Sequence, residues 1–212
     1  MIAWPGLYPP VKRLLDIAAS GTALVITAPV MGVVALTVRS RLGSPVLFQQ
    51  LRPGRDGELF ELRKFRTMRA GAGTDAERMT DLGRFLRSTS LDELPSLWNV
   101  LRGDMSLVGP RPLLPAYMDR YTASQARRHH VRPGLTGLAQ VRGRNALSWE
   151  EKFASDVEYV ETMSLATDVK VLFATILAVV SRRGISANDS ETMPEFLGTA
   201  DSVAATSPER RS

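Results

Sequence analysis

The residues of this 212-residue chain best suited to chemistry are two adjacent carboxylates, Asp92 and Glu93, in Ser90-Leu91-Asp92-Glu93-Leu94-Pro95. There is no cysteine, and the only two histidines are neighbours, His129 and His130. Thiol nucleophiles, zinc–thiolate sites, iron–sulfur clusters and disulfide scaffolds are therefore excluded. Paired carboxylates without a thiol suit Mg²⁺, a hard ion that prefers oxygen. An ionised aspartate is also a nucleophile toward phosphorus. The same residues read structurally as a helix start. Ser90-x-x-Glu93 has capping-box spacing, and acids favour a first turn. Pro95 shifts that start to Asp92 as N-cap, which makes the proline the third helical residue, where its missing donor is harmless. Asp92 would then sit on the positive end of a helix, ionised and attractive to phosphate.

Cations that could face these acids are spread along the chain. Lys64 and Arg66 end an expected strand, Arg87 precedes the acidic pair, and Arg111 is locked between Pro110 and Pro112. From Arg120 to Arg144 the chain carries Arg120, Arg127, Arg128, Arg132, Arg142 and Arg144 and no acid. Lysine and arginine number 27 against 22 acids, a formal charge of +5. The end of the chain (185–212) is acidic, so the surplus lies in the body. A basic body points to polyanions: nucleic acid, anionic lipid or phosphorylated substrates. The arginines are scattered and lack a recognition helix, a zinc finger or interleaved stacking aromatics, which argues against nucleic acid. The glycine-rich segment Val131 to Asn145 is a candidate anion cradle. It is neither a Walker loop nor a Rossmann fingerprint.

One element stands out among those that must position these groups. Ile17 to Val38 is 22 residues without a charge, long enough to cross a bilayer. It lacks a small-x-small cleavage site, which argues against a signal peptide. Basic residues flank both ends, so the positive-inside rule selects no orientation. Pro29 sits mid-run, where it removes a helical hydrogen bond. A straight span and a re-entrant hairpin bent at Pro29 both fit. Beyond it, Val46–Gln50 and Leu59–Phe65 read as a β-hairpin around Arg52–Gly57. Residues 70–80 read as a mobile loop. Helices are expected over Leu82–Arg87, Glu93–Arg102, Tyr117–Arg128 and Trp149–Thr162. Asp168–Ser181 is apolar nearly all round, as a core helix or an interfacial one, with core the simpler reading. The polar, acidic tail from Ala187 reads as disordered.

Several motifs in order resemble one family, the bacterial sugar transferases or monotopic phosphoglycosyl transferases. They are Lys12-Arg13-Leu14-Leu15-Asp16-Ile17, Lys64-Phe65-Arg66-Thr67-Met68, Arg87 through Pro95, Asn99-Val100-Leu101-Arg102-Gly103-Asp104-Met105-Ser106, Leu107-Val108-Gly109-Pro110-Arg111-Pro112-Leu113, and Val131 to Asn145. The likeness covers roughly residues 11–186 and looks closest to the short members that act on UDP-diacetylbacillosamine.

The resemblance implies an α+β, predominantly helical fold with a small β-hairpin, interfacial amphipathic helices and an N-terminal re-entrant helix–break–helix. Three regions follow: residues 1–40 in the membrane, 41–186 as a cytoplasmic catalytic domain, and the tail 187–212. The implied reaction moves a sugar 1-phosphate from a UDP-sugar to polyprenol (undecaprenyl) phosphate and releases UMP, as the first membrane step of glycoconjugate assembly. Asp92 matches the nucleophile, and Glu93 its dyad partner. Both are placed to hold Mg²⁺. Lys64, Arg87, Arg111 and Arg144 match phosphate-binding positions, and Pro29 matches the membrane break. The implied location is the cytoplasmic face of the bacterial inner membrane, in one leaflet, with no nucleic-acid partner and with later glycosyltransferases of the pathway as further partners. Two positions depart from the family pattern. The usual Ser-Pro break is Ala28-Pro29, and the usual Val-Asn-Gly-Arg is Val141-Arg142-Gly143-Arg144, which adds charge near the expected nucleotide site. A non-catalytic basic membrane scaffold, or a nucleic-acid-binding module, would instead use Asp92-Glu93 as a helix cap.

Overall fold

The computed structural model describes residues 8–143, 146–180 and 195–198. The apolar run forms a single helix, α1 (Tyr8–Leu42), which continues through Pro29. The break expected there is not seen as an interruption of the helix. Lys12, Asp16 and Ser20 are buried at a spacing of four, and so are Val34 and Val38. The two rows lie fourteen residues apart, close to four turns, so they fall on nearly one face. The first row meets the middle and end of the chain. Lys12 pairs with Asp168, and the Asp16 Oδ1 accepts the Leu107 N–H at 3.1 Å. In the second row, Val34 and Val38 pack with Phe65 and Leu86. Both ends of α1 therefore rest on the same body. Its other face is left bare, with Val25, Ile26, Val33 and Leu36 between 65 and 77 % exposed.

The expected hairpin forms, with β1 (Leu47–Pro53) antiparallel to β2 (Leu59–Phe65) and Leu47 opposite Phe65. Its turn needs left-handed backbone at Asp56 (φ 55°) and Gly57 (φ 81°). The loop expected over 70–80 instead contains a short helix, α2 (Asp75–Arg78), held by a capping box between Thr74 and Glu77. Next comes α3 (Asp81–Ser88). Its Gly83 lies so close to the Thr67 carbonyl that an added Cβ would sit 2.0 Å from that oxygen. Only glycine lets α3 press on the segment after β2.

The helix expected over Glu93–Arg102 divides into a 3₁₀ turn, Leu91–Ser96, and α4 (Leu97–Arg102), which ends at Gly103 with φ 106°. Polar side chains of this segment dock it on the outer edge of β2. Ser96 Oγ donates to the Arg63 carbonyl at 2.7 Å, and Asn99 Nδ2 donates to the Glu61 carbonyl at 2.8 Å. Asn99 Oδ1 accepts the Arg63 N–H at 3.2 Å. Both side chains are at most 2 % exposed and complete a strand edge that would otherwise bury unpaired backbone groups.

Strand β3 (Ser106–Val108) pairs in parallel with β4 (Gly134–Thr136). The helix expected over Tyr117–Arg128 is instead three short turns. They are a 3₁₀ turn over Pro115–Arg120, α5 (Ala123–Ala126) and a 3₁₀ turn over Arg127–His130. Extended backbone at Tyr121 stops the first, and a capping box between Thr122 and Gln125 starts the second. Within the described part of the glycine-rich segment lie β4 and α6 (Leu138–Arg142). Helix α7 (Trp149–Thr162) forms as expected behind a Ser148–Glu151 capping box.

Helix α8 (Leu165–Val180) is not simply core. Val171 is buried, but Val169, Phe173, Ile176 and Leu177 are at least half exposed. In the tail expected to be disordered, residues 195–198 are described. Phe196 is 2 % exposed and packs on the rings of Tyr117 and Phe153. It is the only aromatic residue of the tail, and burying it in an aromatic cluster favours order.

Asn99→Ala removes the two hydrogen bonds to β2 and a third, from Asn99 Nδ2 to Asp104 Oδ2 at 3.1 Å, and leaves β2 groups unpaired. It should cost about 2–3 kcal/mol, read as a lower denaturation midpoint. An unchanged midpoint would contradict the docking of α4 on β2.

Candidate active site

The 3₁₀ turn sets the geometry. Ser90 adopts left-handed backbone (φ 56°) and makes no side-chain cap. In a 3₁₀ turn positions i and i+3 eclipse, so Leu91 and Leu94 share a side, packed against the apolar cluster under α1 and α3. Asp92 and Glu93 project elsewhere. Neither helix-start reading of the sequence survives. Asp92 lies inside the turn and is not its N-cap. The Glu93 carboxylate does not return to Ser90. It takes the Lys64 ammonium at 2.5 Å and the Arg111 guanidinium at 2.8 Å, both on Oε1. Two cations in a partly dehydrated site outbid a single backbone N–H.

Asp92 is 7 % exposed, and among the described residues its carboxylate accepts no hydrogen bond. The two acids titrate in opposite directions. Burial, then the neighbouring Glu93, pushes Asp92 up to about 6 against the pull of Lys64, Arg111 and Arg87. Burial also pushes Glu93 up, but Arg111 and Lys64 outweigh it and hold Glu93 well below the usual carboxylate range. Glu93 is thus a fixed anion that neutralises two cations. Asp92, raised to about 6, is largely ionised at neutral pH and is bonded by neither cation.

Arg111 is positioned from behind. Its carbonyl accepts the Arg128 guanidinium at 2.6 Å, and Arg128 is 3 % exposed and bonded to Asp156 of α7 at 2.7 Å. This strut joins α7 to the Pro110–Pro112 loop. Sequence reading counted Arg128 only as part of a basic stretch and did not single out Asp156. Arg87, at the end of α3, donates to Thr67 Oγ1 at 3.2 Å and is close enough to act on the charge of Asp92.

The structure thus brings Asp92, Glu93, Lys64 and Arg111 together, with Arg87 at the margin. Arg144 lies outside the described residues. Most of the other arginines serve the fold. Arg66 donates to the Leu42 carbonyl at the end of α1. Arg127 pairs with Glu161 at 2.6 Å. Arg142 pairs with Glu158 of α7 through both terminal nitrogens, at 2.5 and 2.6 Å. Its charge is therefore committed to α7 and is not spare charge for a nucleotide site.

The donor set fits Mg²⁺. Both Lys64 and Arg111 bond Oε1 of Glu93, which leaves Oε2 and the Asp92 oxygens without a hydrogen bond among the described residues. Mg²⁺ is commonly bound by one or two carboxylates together with water and substrate phosphate. A cluster of three or more metal-ligating side chains is absent among the described residues. Pro29 lies in α1 and lines an apolar cleft of about 390 Å³ between α1 and α3. Val33, Phe85 and Leu91 line it too, the last being the neighbour of Asp92 in the 3₁₀ turn.

The family model for the bacterial sugar transferases matches residues 7–182. The chain is 48 % identical over 196 residues to the uncharacterized sugar transferase EpsL of Bacillus subtilis (strain 168), covering 90 % of this chain and 97 % of that protein. It is 41 % identical to a UDP-glucose:undecaprenyl-phosphate glucose-1-phosphate transferase of Caulobacter vibrioides, covering 80 % of this chain and 70 % of that one. It is 39 % identical to an undecaprenyl-phosphate galactose phosphotransferase of Salmonella typhimurium, covering 82 % of this chain and 41 % of that protein. With Asp92, Glu93, Lys64 and Arg111 assembled in one site and a family match over nearly all of its length, the chain belongs to the bacterial sugar transferase family.

Proposed function

We propose that the chain is a phosphoglycosyl transferase that moves a sugar 1-phosphate from a UDP-sugar to undecaprenyl phosphate through a phosphosugar carried on Asp92. The state of Asp92 carries this reading. A carboxylate that is largely buried and ionised at neutral pH, and that accepts no hydrogen bond from the described residues, keeps its oxygens available as nucleophiles, with Lys64, Arg111 and Arg87 near enough to draw a phosphate to it. An Asp92 oxygen bonds to the β-phosphorus. The bond from that phosphorus to the oxygen bridging to the α-phosphorus breaks, and UMP leaves with that oxygen. The phosphate oxygen of the lipid acceptor then bonds to the same phosphorus and releases Asp92. Lys64, Arg111 and Arg87 neutralise charge on the phosphates, and Glu93 keeps the first two in place. Mg²⁺, held by Asp92 and Glu93, would screen the diphosphate charge. The relatives compared above carry glucose and galactose in their names. The hexose of this chain is a matter for a UDP-sugar screen.

The acceptor is a lipid, and the bare apolar surface supports a site at a bilayer. The two ends of α1 rest on one body, and its exposed face is apolar. This favours entry into and return from a single leaflet, with Pro29 at depth, over a full crossing. The exposed apolar side of α8 would lie in the interface. The cleft between α1 and α3 offers an apolar path for the acceptor's chain up to the turn that carries Asp92. Basic residues at both ends of the run favour the cytoplasmic face of the inner membrane. A non-catalytic scaffold would not need a buried carboxylate of raised pKa beside three cations.

Asp92→Asn should lower UMP release from a UDP-sugar by about a thousandfold or more while leaving membrane association and the unfolding midpoint in place. Full activity would remove Asp92 from the chemistry. The ionised fraction of an acid raised to about 6 falls as pH drops through that value. The kcat/KM for UMP release should therefore decline below about pH 6, and Lys64→Met should shift the decline to higher pH. A profile flat down to pH 5 would contradict the assigned state. Chelation of divalent ions should abolish UMP release, with recovery on adding Mg²⁺, and full activity in chelator would remove the metal.

A further inference from the structure

A second basic cleft lies at the far end of α4 from Asp92. It is a cavity of about 120 Å³ among the first turns of α1, the hairpin turn, β3 and the segment before β4. Lys12, Arg13, Arg55 and Arg132 line it, against the single carboxylate Asp16. Asp168 neutralises Lys12. Asp16 is partly committed, since its Oδ1 accepts the Leu107 N–H. Three guanidiniums therefore converge on a small space with one opposing acid inside it.

Their hydrogen bonds leave capacity for a ligand. Arg13 donates to the Val100 and Leu101 carbonyls at 2.6 and 2.8 Å, and Arg132 donates only its Nε, to the Gly103 carbonyl at 2.8 Å. Both terminal amino groups of Arg132 are without a partner among the described residues. Among the described residues Arg55 pairs only with its neighbour Asp56, at the surface. Burial, with Arg13 and Arg55 nearby, lowers the pKa of Arg132, as expected where like charges face one another. Ser106 also lines the cleft. It is 1 % exposed, and among the described residues its hydroxyl has no hydrogen-bond partner. Buried hydroxyls are nearly always bonded, so this one marks a missing acceptor.

We infer that this cleft binds a phosphate group, through Arg132, Arg55 and the Ser106 hydroxyl, at a site separate from the one that carries Asp92. A tetrahedral oxyanion satisfies the two conditions left open here, spare planar donors and a buried hydroxyl. Its source is either a phospholipid headgroup or a soluble phosphate. Bound there, it ties the start of α1 to the hairpin turn and to the end of α4, and so braces the membrane helix against the catalytic body.

The test uses the full chain in an uncharged detergent, with ionic strength held constant by chloride. Two probes are titrated while the thermal midpoint is followed: inorganic phosphate, and phosphatidylglycerol set against phosphatidylcholine in mixed micelles. A saturable rise of roughly 3–6 °C is expected with at least one probe. A response to phosphate alone assigns a soluble ligand, and a response only to phosphatidylglycerol assigns a headgroup. Arg55→Ala and Ser106→Ala should each raise the half-saturating concentration by about tenfold. Neither side chain touches the acidic pair, so UMP release should stay unchanged, and the unliganded midpoint should not fall, since Ser106→Ala only removes an unsatisfied hydroxyl. The proposal is overturned if neither probe gives a saturable rise or if both variants respond like the parent. It is also overturned if the response is lost in Arg111→Ala instead, which would place the phosphate in the catalytic site.

Discussion

The open edge of β2 is the constraint on which the site depends. A two-stranded sheet leaves one row of backbone groups unpaired on each side, and here that row is buried. Ser96 and Asn99 satisfy it by presenting side-chain donors and an acceptor where a third strand would present backbone. The segment that carries them also carries Asp92 and Glu93. The bonds that complete the sheet thus fix the acidic pair beside Lys64, near the end of the same strand. Stability and site geometry come from one set of contacts. The motif containing Asn99 therefore has a structural role without touching the acids.

Environment then separates two carboxylates that are identical in chemistry and adjacent in sequence. Glu93 holds two cations and stays charged under all ordinary conditions. Asp92 shares the field of those cations but none of their hydrogen bonds. The result is a permanent counter-ion next to the carboxylate we propose as nucleophile, a division set by which side chain reaches Lys64 and Arg111. The Arg128–Asp156 pair extends this order outward, since it is buried and fixes the backbone from which Arg111 projects.

Much of this was legible in the sequence, and the failures have physical causes. Alternation and turn chemistry revealed the hairpin, and helical periodicity revealed α7, because both signals are local. Asp92 and Glu93 stood out by residue type, and the family likeness linked them to Lys64 and Arg111. The capping-box reading of Ser90 and Glu93 failed because Glu93 found stronger partners, one of them 29 residues earlier in the chain. Arg142 looked like spare charge because Glu158 faces it only after α6 and α7 pack. The breaks near Tyr121 could have been found, since Thr122-Ala-Ser-Gln125 is itself a capping box. Phe196 could have been suspected as the one aromatic residue of a polar tail. The strut of Arg128 and Asp156 left no local signal at all.

The account stands or falls on the bond between Asp92 and phosphorus. Incubating the purified chain with a UDP-sugar and Mg²⁺, without lipid acceptor, and then analysing its peptides by mass spectrometry tests this directly. The expected result is the mass of one sugar phosphate on the peptide containing Asp92, lost on adding undecaprenyl phosphate and absent in Asp92→Asn. Turnover to the lipid product with no adduct at Asp92 under rapid quenching, or an adduct that persists in Asp92→Asn, would contradict it.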